Sequence, residues 1–454
     1  MRRADTASRR RDNRLAAALL LVVAAAPLPL GGNRPALWAA WTCLLALIAC
    51  AYAVQLIASE RELPVTAARF RLPGGLFLVL CAWLVIQVLP VAGWVGLGTM
   101  RAGDATLSTP SLSLTPGDTM LMLVRWLGYG LAFFLFAQAG RSRSRALVMM
   151  KALHAICLIY AALGLAMLIL FGDTILGIEK WSYQGVATAT FVNRNSFATF
   201  IAFGFAIGVA LFASSLMPNE ASESPARGRR LLYGVGLGLS LAALITSGSR
   251  MGLLTALVAG GVVLILAFAG RRPEARAPLV VLLVTTLAGV LLLVLFGGRL
   301  SERLSGIEND AEGRFDLYRQ VWTMISHRPL AGYGGGSFEM VFQLFHLPPL
   351  SPDVIWNKAH SSYLTLAAEL GLPAAIFIVA SLVALGWRTM RSLNDPSISR
   401  RVPLAALGVM TVAALHSLVD FSLEIQANAY FFAAVLGLTF GYLEDRPTIR
   451  GDRR

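Results

Sequence analysis

Residues 299–362 read RLSERLSGIENDAEGRFDLYRQVWTMISHRPLAGYGGGSFEMVFQLFHLPPLSPDVIWNKAHSS and form the one long polar stretch of the chain. On both sides of it, apolar segments are joined by short basic connectors. Hydrophobic residues make up 56% of the 454 positions, charged residues 14%, and the mean hydropathy is +0.66. Water-soluble globular proteins have a smaller apolar fraction. The sequence therefore predicts a polytopic membrane protein with one long loop outside the membrane.

Membrane spans follow from the length of the apolar segments, because a helix needs about 20 apolar residues to cross the hydrocarbon layer. Twelve segments qualify, centred near residues 22, 46, 83, 129, 160, 206, 239, 260, 287, 375, 411 and 435. The predicted fold is all-α, with about twelve transmembrane helices. Spans one to nine occupy residues 15–298 and spans ten to twelve residues 363–444, with tails at 1–14 and 445–454. No separate soluble domain is expected.

The orientation follows from the basic residues, which stay on the cytoplasmic side of a membrane. Clusters that hold 26 of the 39 Lys and Arg residues occupy alternate connectors. Six Arg precede Leu15, and the other clusters are Arg61/Arg69/Arg71, Arg141/Arg143/Arg145, Arg227/Arg229/Arg230, Arg271/Arg272/Arg276, Arg388/Arg391/Arg400/Arg401 and Arg446/Arg450/Arg453/Arg454. If twelve spans alternate, all these clusters lie on one side. Both termini are then cytoplasmic, and residues 299–362 lie outside.

Composition also argues against several functional classes. The net charge of +14 is spread over short connectors, which indicates topology and not a groove for nucleic acid. All four cysteines lie inside predicted spans, so no disulfide framework or cysteine metal site is expected. The sequence contains no GxxxxGK[ST] loop, HExxH pair or GxSxG elbow, which disfavours metal-assisted and serine-hydrolase chemistry. The apolar segment after the N-terminal arginines is interpreted as a retained first span.

The long loop is predicted to contain short helices. Seven apolar residues recur at helical spacing, with Arg314 near the start and Pro329 as a stop. They are Phe315, Leu317, Tyr318, Val321, Trp322, Met324 and Ile325. The following AGYGGGS at 331–337 predicts a close-approach turn that offers backbone N–H groups. Residues 338–345 are expected to form a second short helix.

Several charged residues in or near the loop are candidates for chemistry, each with a structural alternative. Arg250 ends the sequence TSGSR at the turn between spans seven and eight, where it either binds an anion or extends to lipid head groups. Arg314 and Arg319 suit phosphate, but acidic neighbours also suit them to surface ion pairs. His360 is a candidate proton acceptor or a structural histidine. Lys358 adds positive charge nearby or marks an interface.

Other polar residues lie at or inside predicted spans, where ionisable groups are costly and often functional. Asn193, Arg194 and Asn195 precede span six. Glu369, His416 and Asp420 belong to later spans, and His416 with Asp420 is equally well a packing pair within one helix. Arg125 and His154 are interpreted as structural.

Five blocks in order resemble the O-antigen ligase and polymerase superfamily of bacterial inner-membrane enzymes. They are FVNRNSFATF at 191–200, ITSGSRMGLL at 245–254, GRFDLYRQVWTMISHRPLAGYGGGSFE at 313–339, AHSSYLTLAAELGLPAA at 359–375 and HSLVDFSLEIQANAYF at 416–431. Each block alone is degenerate, and their order and spacing make the resemblance specific. Twelve spans with one long exterior loop before span ten are similar to the family as well.

The resemblance implies transfer of a glycan from an undecaprenyl diphosphate carrier to an acceptor hydroxyl at the periplasmic face, with no metal and no cofactor. The implied catalytic residues are Arg250, Arg314 and His360, the last two in a periplasmic loop at 299–362. Residues assigned to substrate binding are Arg194, Arg319, Lys358 and Asn193. Many members have a His-Asn pair where this chain has His360 followed by Ser361 and Ser362.

Two kinds of alternative remain open at this point. Within the family, ligation of O-antigen to lipid A core, polymerisation of repeat units and glycosylation of protein share the donor and differ in the acceptor. A polysaccharide or lipid transporter also fits twelve spans, but it predicts related halves and charged residues along a midplane path. The distinctive polar residues of this chain lie on one face instead. Membrane lipids are the other expected partners, and nucleic acid is not.

Overall fold

The computed structural model describes residues 2–102, 105–216, 226–269, 308–353 and 355–445, which are mostly helical. The α-helices, numbered over these residues, are α1 Arg2–Ala25, α2 Pro35–Ala58, α3 Arg71–Val88, α4 Pro116–Gly140, α5 Arg143–Ile169, α6 Arg194–Ser215, α7 Ala226–Thr246, α8 Arg250–Phe268, α9 Glu308–His327, α10 Phe338–Phe342, α11 Ser362–Leu370, α12 Leu372–Ser392, α13 Arg401–His416 and α14 Gln426–Leu443. The β-structure consists of two small antiparallel hairpins, β1 Thr99–Ala102 with β2 Ala105–Ser108 and β3 Thr174–Ile175 with β4 Ile178–Glu179.

Eight of the described helices are long and apolar enough to cross a membrane. They are α2, α3 with the turn before it, α4, α5, α6, α7, α8 and α12. The spans predicted near residues 22, 411 and 435 coincide with α1, α13 and α14, which are not among the eight. Helix α1 carries the arginines of its first half, and α13 has only 16 residues. The span predicted near residue 287 lies outside the described residues. The all-α polytopic membrane fold is confirmed.

Helix α6 lies at the centre of the bundle, in contact with α5, α7, α8 and α13. Within its most apolar window 94% of the residues are buried, against 17% for α2. Small residues allow the close packing: a Cβ added to Gly204 would lie 2.2 Å from the Cβ of Cys157 on α5. Because apolar residues surround it on all sides, α6 is a rigid support for whatever its first turn carries.

Helices α4 and α14 also pack backbone to backbone. A Cβ added to Gly441 would lie 2.0 Å from the carbonyl oxygen of Ala137. Nearer the other end of this contact, the rings of Tyr129 and Tyr430 meet edge to face at 5.5 Å. Helix α14 is thereby held firmly in the bundle, which places the segment before it, residues 417–425, next to the start of α6.

The helix predicted in the long loop is present as α9, and it begins earlier than predicted, at Glu308, while it ends before Pro329 as expected. Four of the apolar residues named from sequence are buried in a second hydrophobic cluster: Leu317, Val321, Met324 and Ile325. Phe315 and Trp322 were wrongly assigned to the same face, because they are 71% and 54% exposed. The buried set recurs every three to four residues, and Phe315 and Trp322 project from the other side of the helix.

The glycine-rich turn at 331–337 approaches its neighbours closely, as predicted, but its N–H groups are already bonded within the protein. The N–H of Gly334 donates to the carbonyl oxygen of Glu369 at 2.9 Å, and that of Tyr333 to Ala368 at 3.0 Å. The N–H of Gly335 donates to Gln87 Oε1 at 3.3 Å. The turn therefore anchors α9 to α11 and to α3, and these three N–H groups are not offered to a ligand.

Replacing Gly334 by Ala is expected to lower the stability of the folded protein by about 1–3 kcal/mol. Gly334 has a φ of +104°, and an added Cβ would lie 2.1 Å from Ser113 Oγ. The measurement is the thermal unfolding midpoint of the detergent-solubilised protein. Gly313→Ala is the matched control, because nothing lies within 4 Å of a Cβ there and Ala favours a helix. Equal midpoints for the two variants would contradict the close approach.

Candidate active site

Four segments meet at one end of the helical bundle: the start of α6, the turn between α7 and α8, residues 417–425, and the start of α11. Hydrogen bonds between side chains and between backbone groups join them. Ser249 in the turn donates from its Oγ to Asn195 Oδ1 at 2.9 Å. Asn195 donates from Nδ2 to Asp420 Oδ1 at 3.0 Å. Asp420 in turn accepts at its carbonyl oxygen from the N–H of Ser362 at 3.2 Å.

Asp420 is the centre of this network. It is 1% exposed, and its second carboxylate oxygen accepts from the hydroxyl of Ser422. A buried carboxylate requires hydrogen-bond donors in place of the water that it loses. The two side-chain donors meet part of that requirement. The segment that carries Asp420 is thereby fixed to α6 and α11 at once.

Arg194 is the first residue of α6 and is half-buried. Its guanidinium lies over the ring of Tyr183, 5.5 Å from the centroid. On another side, a Cβ added to Gly248 would lie 3.6 Å from Nη1 of Arg194. Within the described residues Arg194 forms no ion pair, and its buried Nε has no hydrogen-bond partner. Its charge is held between an aromatic ring and the turn that leads to Arg250.

Arg250 is the first residue of α8 and is exposed at this end of the bundle. Ser249 caps the helix, and its Oγ accepts from the N–H of Gly252 at 3.2 Å. Since the same Oγ donates to Asn195, the backbone that carries Arg250 is tied to the start of α6. The sequence prediction that Arg250 lies in a tight turn between two spans is confirmed.

Arg314 lies on α9 one helical turn before Tyr318, and it is half-buried. The hydroxyl of Tyr318 donates to the carbonyl oxygen of His360 at 2.9 Å. Burial raises the pKa of Tyr318, while the charge of Arg314 lowers it and that of Asp420 raises it. Both charges therefore act on the same hydroxyl. Within the described residues, Arg314 forms no hydrogen bond or ion pair, and its charge is not matched by a carboxylate contact.

His360 precedes the N-cap of α11 with a φ of +49°, a region that non-glycine residues seldom occupy. Its ring meets that of Phe421 edge to face at 5.2 Å and that of Trp356 at 6.3 Å. Directly after it, Ser361 donates from Oγ to the carbonyl oxygen of Ser417 at 3.3 Å. Strained backbone that several contacts hold in place is typical of functional positions.

Three residues assigned to substrate binding have other partners in the structure. Arg319 is 80% exposed in its side chain and pairs with Asp316 at 3.5 Å. Lys358 donates from Nζ to Glu424 Oε2 at 2.9 Å. Asn193 caps α6, accepting from the N–H groups of the two residues that follow Arg194. The structure brings Arg194, but not Arg319, towards the network around Asp420.

The buried ionisable residues of the spans have structural contacts. His154 bonds through Nδ1 to the carbonyl oxygen of Gly204 at 2.8 Å. Arg125 contacts the carbonyl oxygen of Glu424 and lies 4.1 Å from the ring centroid of Trp38. These contacts agree with the structural interpretation of both residues.

His416 and Asp420 do not form a pair within one helix. His416 is the last residue of α13 and bonds through Nδ1 to the hydroxyl of Thr199 on α6. Asp420 lies beyond the helix end and bonds to Asn195. The helix ends between them, and each of the two side chains has its hydrogen bond to α6 and not to the other.

Two tyrosines belong to the site although the sequence did not single them out for it. Tyr318 was assigned only to the apolar face of α9, and Tyr183 lies in the connector at residues 172–190, which has no motif. Tyr318 follows Arg314 at i, i+4, the spacing that puts two residues on one face of a helix. From this spacing, the sequence could have indicated that Tyr318 lies beside Arg314. No local pattern marks Tyr183.

A family model described as O-antigen ligase matches residues 235–379, about a third of the chain. Among curated proteins, the chain has no match. The matched region contains Arg250, Arg314 and His360, whereas Arg194 and Asp420 lie outside it.

The match indicates the activity class. It indicates glycan transfer of the O-antigen ligase type, hence an enzyme similar to glycosyltransferases, with a lipid-linked glycan and an acceptor as general partners. Together with the apolar helices it indicates a bacterial membrane protein. Residues 235–379 match the O-antigen ligase family model, and this match supports the resemblance of the sequence blocks to the ligase and polymerase superfamily.

Proposed function

We propose that this protein transfers a glycan from an undecaprenyl diphosphate carrier to an acceptor hydroxyl at the periplasmic face of the bacterial inner membrane. The carrying observation is the hydrogen-bonded chain from Ser249 through Asn195 to Asp420 and Ser362. This chain links the backbone next to Arg250 with the backbone next to His360. Arg194, Arg250 and His360 therefore lie at one end of the bundle, and the helix of Arg314 is joined to His360 through Tyr318.

Arginine is the appropriate residue for the donor in this proposal. Its planar fork of N–H groups matches phosphate oxygens, and it stays charged at any relevant pH. Arg194 and Arg314 are half-buried without a carboxylate partner among the described residues, so a diphosphate would supply the missing negative charge. Arg250 adds a third guanidinium from the start of α8. The N-termini of α6 and α8 also favour an anion at this end.

The proposed reaction has one covalent step. The acceptor hydroxyl oxygen attacks the anomeric carbon, and the bond from that carbon to the diphosphate oxygen breaks. The hydroxyl proton passes to the imidazole of His360. The undecaprenyl diphosphate leaves with both bonding electrons, and the arginines stabilise the negative charge that develops on it. Attack from the side opposite the leaving group predicts inversion at the transferred sugar.

The direct test is reconstitution of the purified protein with a lipid-linked glycan and candidate acceptors, supplied one at a time. Product should form without a membrane gradient and with chelator present, and the new bond should have inverted configuration. A transporter would instead move the glycan across vesicles without forming a new glycosidic bond. Absence of product with every acceptor, despite vectorial movement of the glycan, would overturn the proposal.

Ligation and polymerisation share this site chemistry and differ in the acceptor. The two activities can be distinguished by the chain-length distribution of the surface polysaccharide in a deletion strain. Loss of a polymerase leaves single repeats attached to their acceptor, whereas loss of a ligase leaves the glycan on its carrier. Glycosylation of a protein would appear as loss of a glycan from that protein alone.

A further inference from the structure

The guanidinium of Arg194 lies over an aromatic ring. Its central carbon lies 5.5 Å from the centroid of Tyr183, within the range of a cation–π contact. The hydroxyl of the same tyrosine accepts from Asn193 Nδ2 at 3.1 Å. Asn193 also caps α6, so the ring of Tyr183 and the guanidinium of Arg194 are both attached to the start of this helix.

The position of the ring is set by its own loop, residues 172–190. Tyr183 has a φ of +54°, which a bulky residue adopts only when its surroundings hold it there. The carboxylate of Asp173 bonds to the N–H of Gly185 and to Lys180 Nζ, which closes the loop around Tyr183. The N–H of Ala187 donates to the carbonyl oxygen of Thr246 at 2.9 Å, and this bond ties the loop to the end of α7.

A ring and a carboxylate have different consequences for an arginine that must bind an anion. Lys358 and Arg319 pair with Glu424 and Asp316, and a diphosphate would have to displace those carboxylates. A ring attracts the cation through its π face and takes up none of the guanidinium N–H groups in a hydrogen bond. Tyr183 therefore holds Arg194 without neutralising its charge.

We propose that Tyr183 is a positioning residue for Arg194, holding its guanidinium at the start of α6 so that the N–H groups bind the diphosphate of the lipid-linked donor. This inference rests on the proposed function, because it takes the donor diphosphate as the ligand. The turn at Gly248 bounds the same guanidinium from the α8 side. The ring thus acts through Arg194 and does not contact the reacting atoms.

The test compares Tyr183→Ala and Tyr183→Phe in the full-length reconstituted protein. Ala removes the ring, and the donor KM is expected to rise about tenfold, in the range of a partly buried cation–π contact, with the acceptor KM unchanged. Phe keeps the ring and loses the hydroxyl that accepts from Asn193, so it should stay within about twofold of wild type. Trp181→Ala is the matched control, because that side chain is 56% exposed on the same loop.

A double-mutant cycle decides whether Tyr183 acts through Arg194. In the Arg194→Ala background, Tyr183→Ala should add no further loss. A multiplicative loss there, or equal increases in donor and acceptor KM, would overturn the positioning role in favour of a structural one. If Arg194→Ala impairs transfer while Tyr183→Ala matches wild type, this inference alone fails. If Arg194→Ala itself transfers normally, the proposed role of Arg194 in donor binding fails.

Discussion

Replacing His360 by Ala is expected to lower the turnover number of glycan transfer by about 10²- to 10⁴-fold, the contribution of a positioned general base. The imidazole is proposed to take the proton of the attacking hydroxyl. His360 lies between Phe421 and Trp356, and its carbonyl is bonded to Tyr318, so the ring is constrained. The measurement is kcat with saturating donor and acceptor.

His327→Ala is the matched control for this prediction. His327 lies at the exposed end of α9 and bonds through Nδ1 to the carbonyl oxygen of Thr323 at 2.8 Å. It belongs to the same long loop and has no contact with the network around Asp420 among the described residues. This variant should keep wild-type kcat. A His360→Ala protein that inserts normally and keeps its kcat would show that the base is another group.

Replacing Arg314 by Ala is expected to lower kcat/KM for the lipid-linked donor by about 10²- to 10³-fold, as when one preorganised donor to a developing charge is removed. Arg314 is half-buried, and its charge acts on Tyr318 beside His360. Arg250→Ala should have an effect of the same order from the other side of the site. Arg314→Lys keeps the charge but loses the planar fork, and it should restore only part of the activity.

Arg319→Ala tests the specificity of that effect on the same helix. Arg319 is 80% exposed and pairs with Asp316, a contact that is worth little at a surface. We expect transfer close to the wild-type rate. Equal losses for Arg314→Ala and Arg319→Ala would mean that α9 acts through its total charge, and the diphosphate contact assigned to Arg314 would be wrong.

Local composition was sufficient for most of the fold. Helices such as α6 and α8 are predictable because about 20 apolar residues in a row have few alternatives to a membrane helix. The end of α9 was predictable for the same kind of reason, since Pro329 cannot continue a helix. The burial of its side chains was not. Phe315 and Trp322 are as apolar as their buried neighbours, and only the position of the second hydrophobic cluster leaves them exposed.

In the candidate site, too, the residues could be found from the sequence, whereas their contacts could not. Arg250, Arg314 and His360 were found from motifs, and all three lie in the region that matches the O-antigen ligase family. The partner of Lys358 was not predictable, because Glu424 lies 66 residues away in sequence. The glycine-rich turn was correctly expected to approach other atoms, yet which N–H groups remain available depends on α3 and α11.

The sequence by itself determined the membrane fold, the long loop and the residue types suited to a diphosphate, because hydropathy, helix stops and side-chain chemistry are local properties. Only the tertiary structure decided which cations are already neutralised and which lie beside the network around Asp420. Asn195 and Asp420 are 225 residues apart in sequence, and Tyr183 meets Arg194 through a loop with no motif. Contacts of this kind depend on how the whole bundle packs, and no local pattern encodes them.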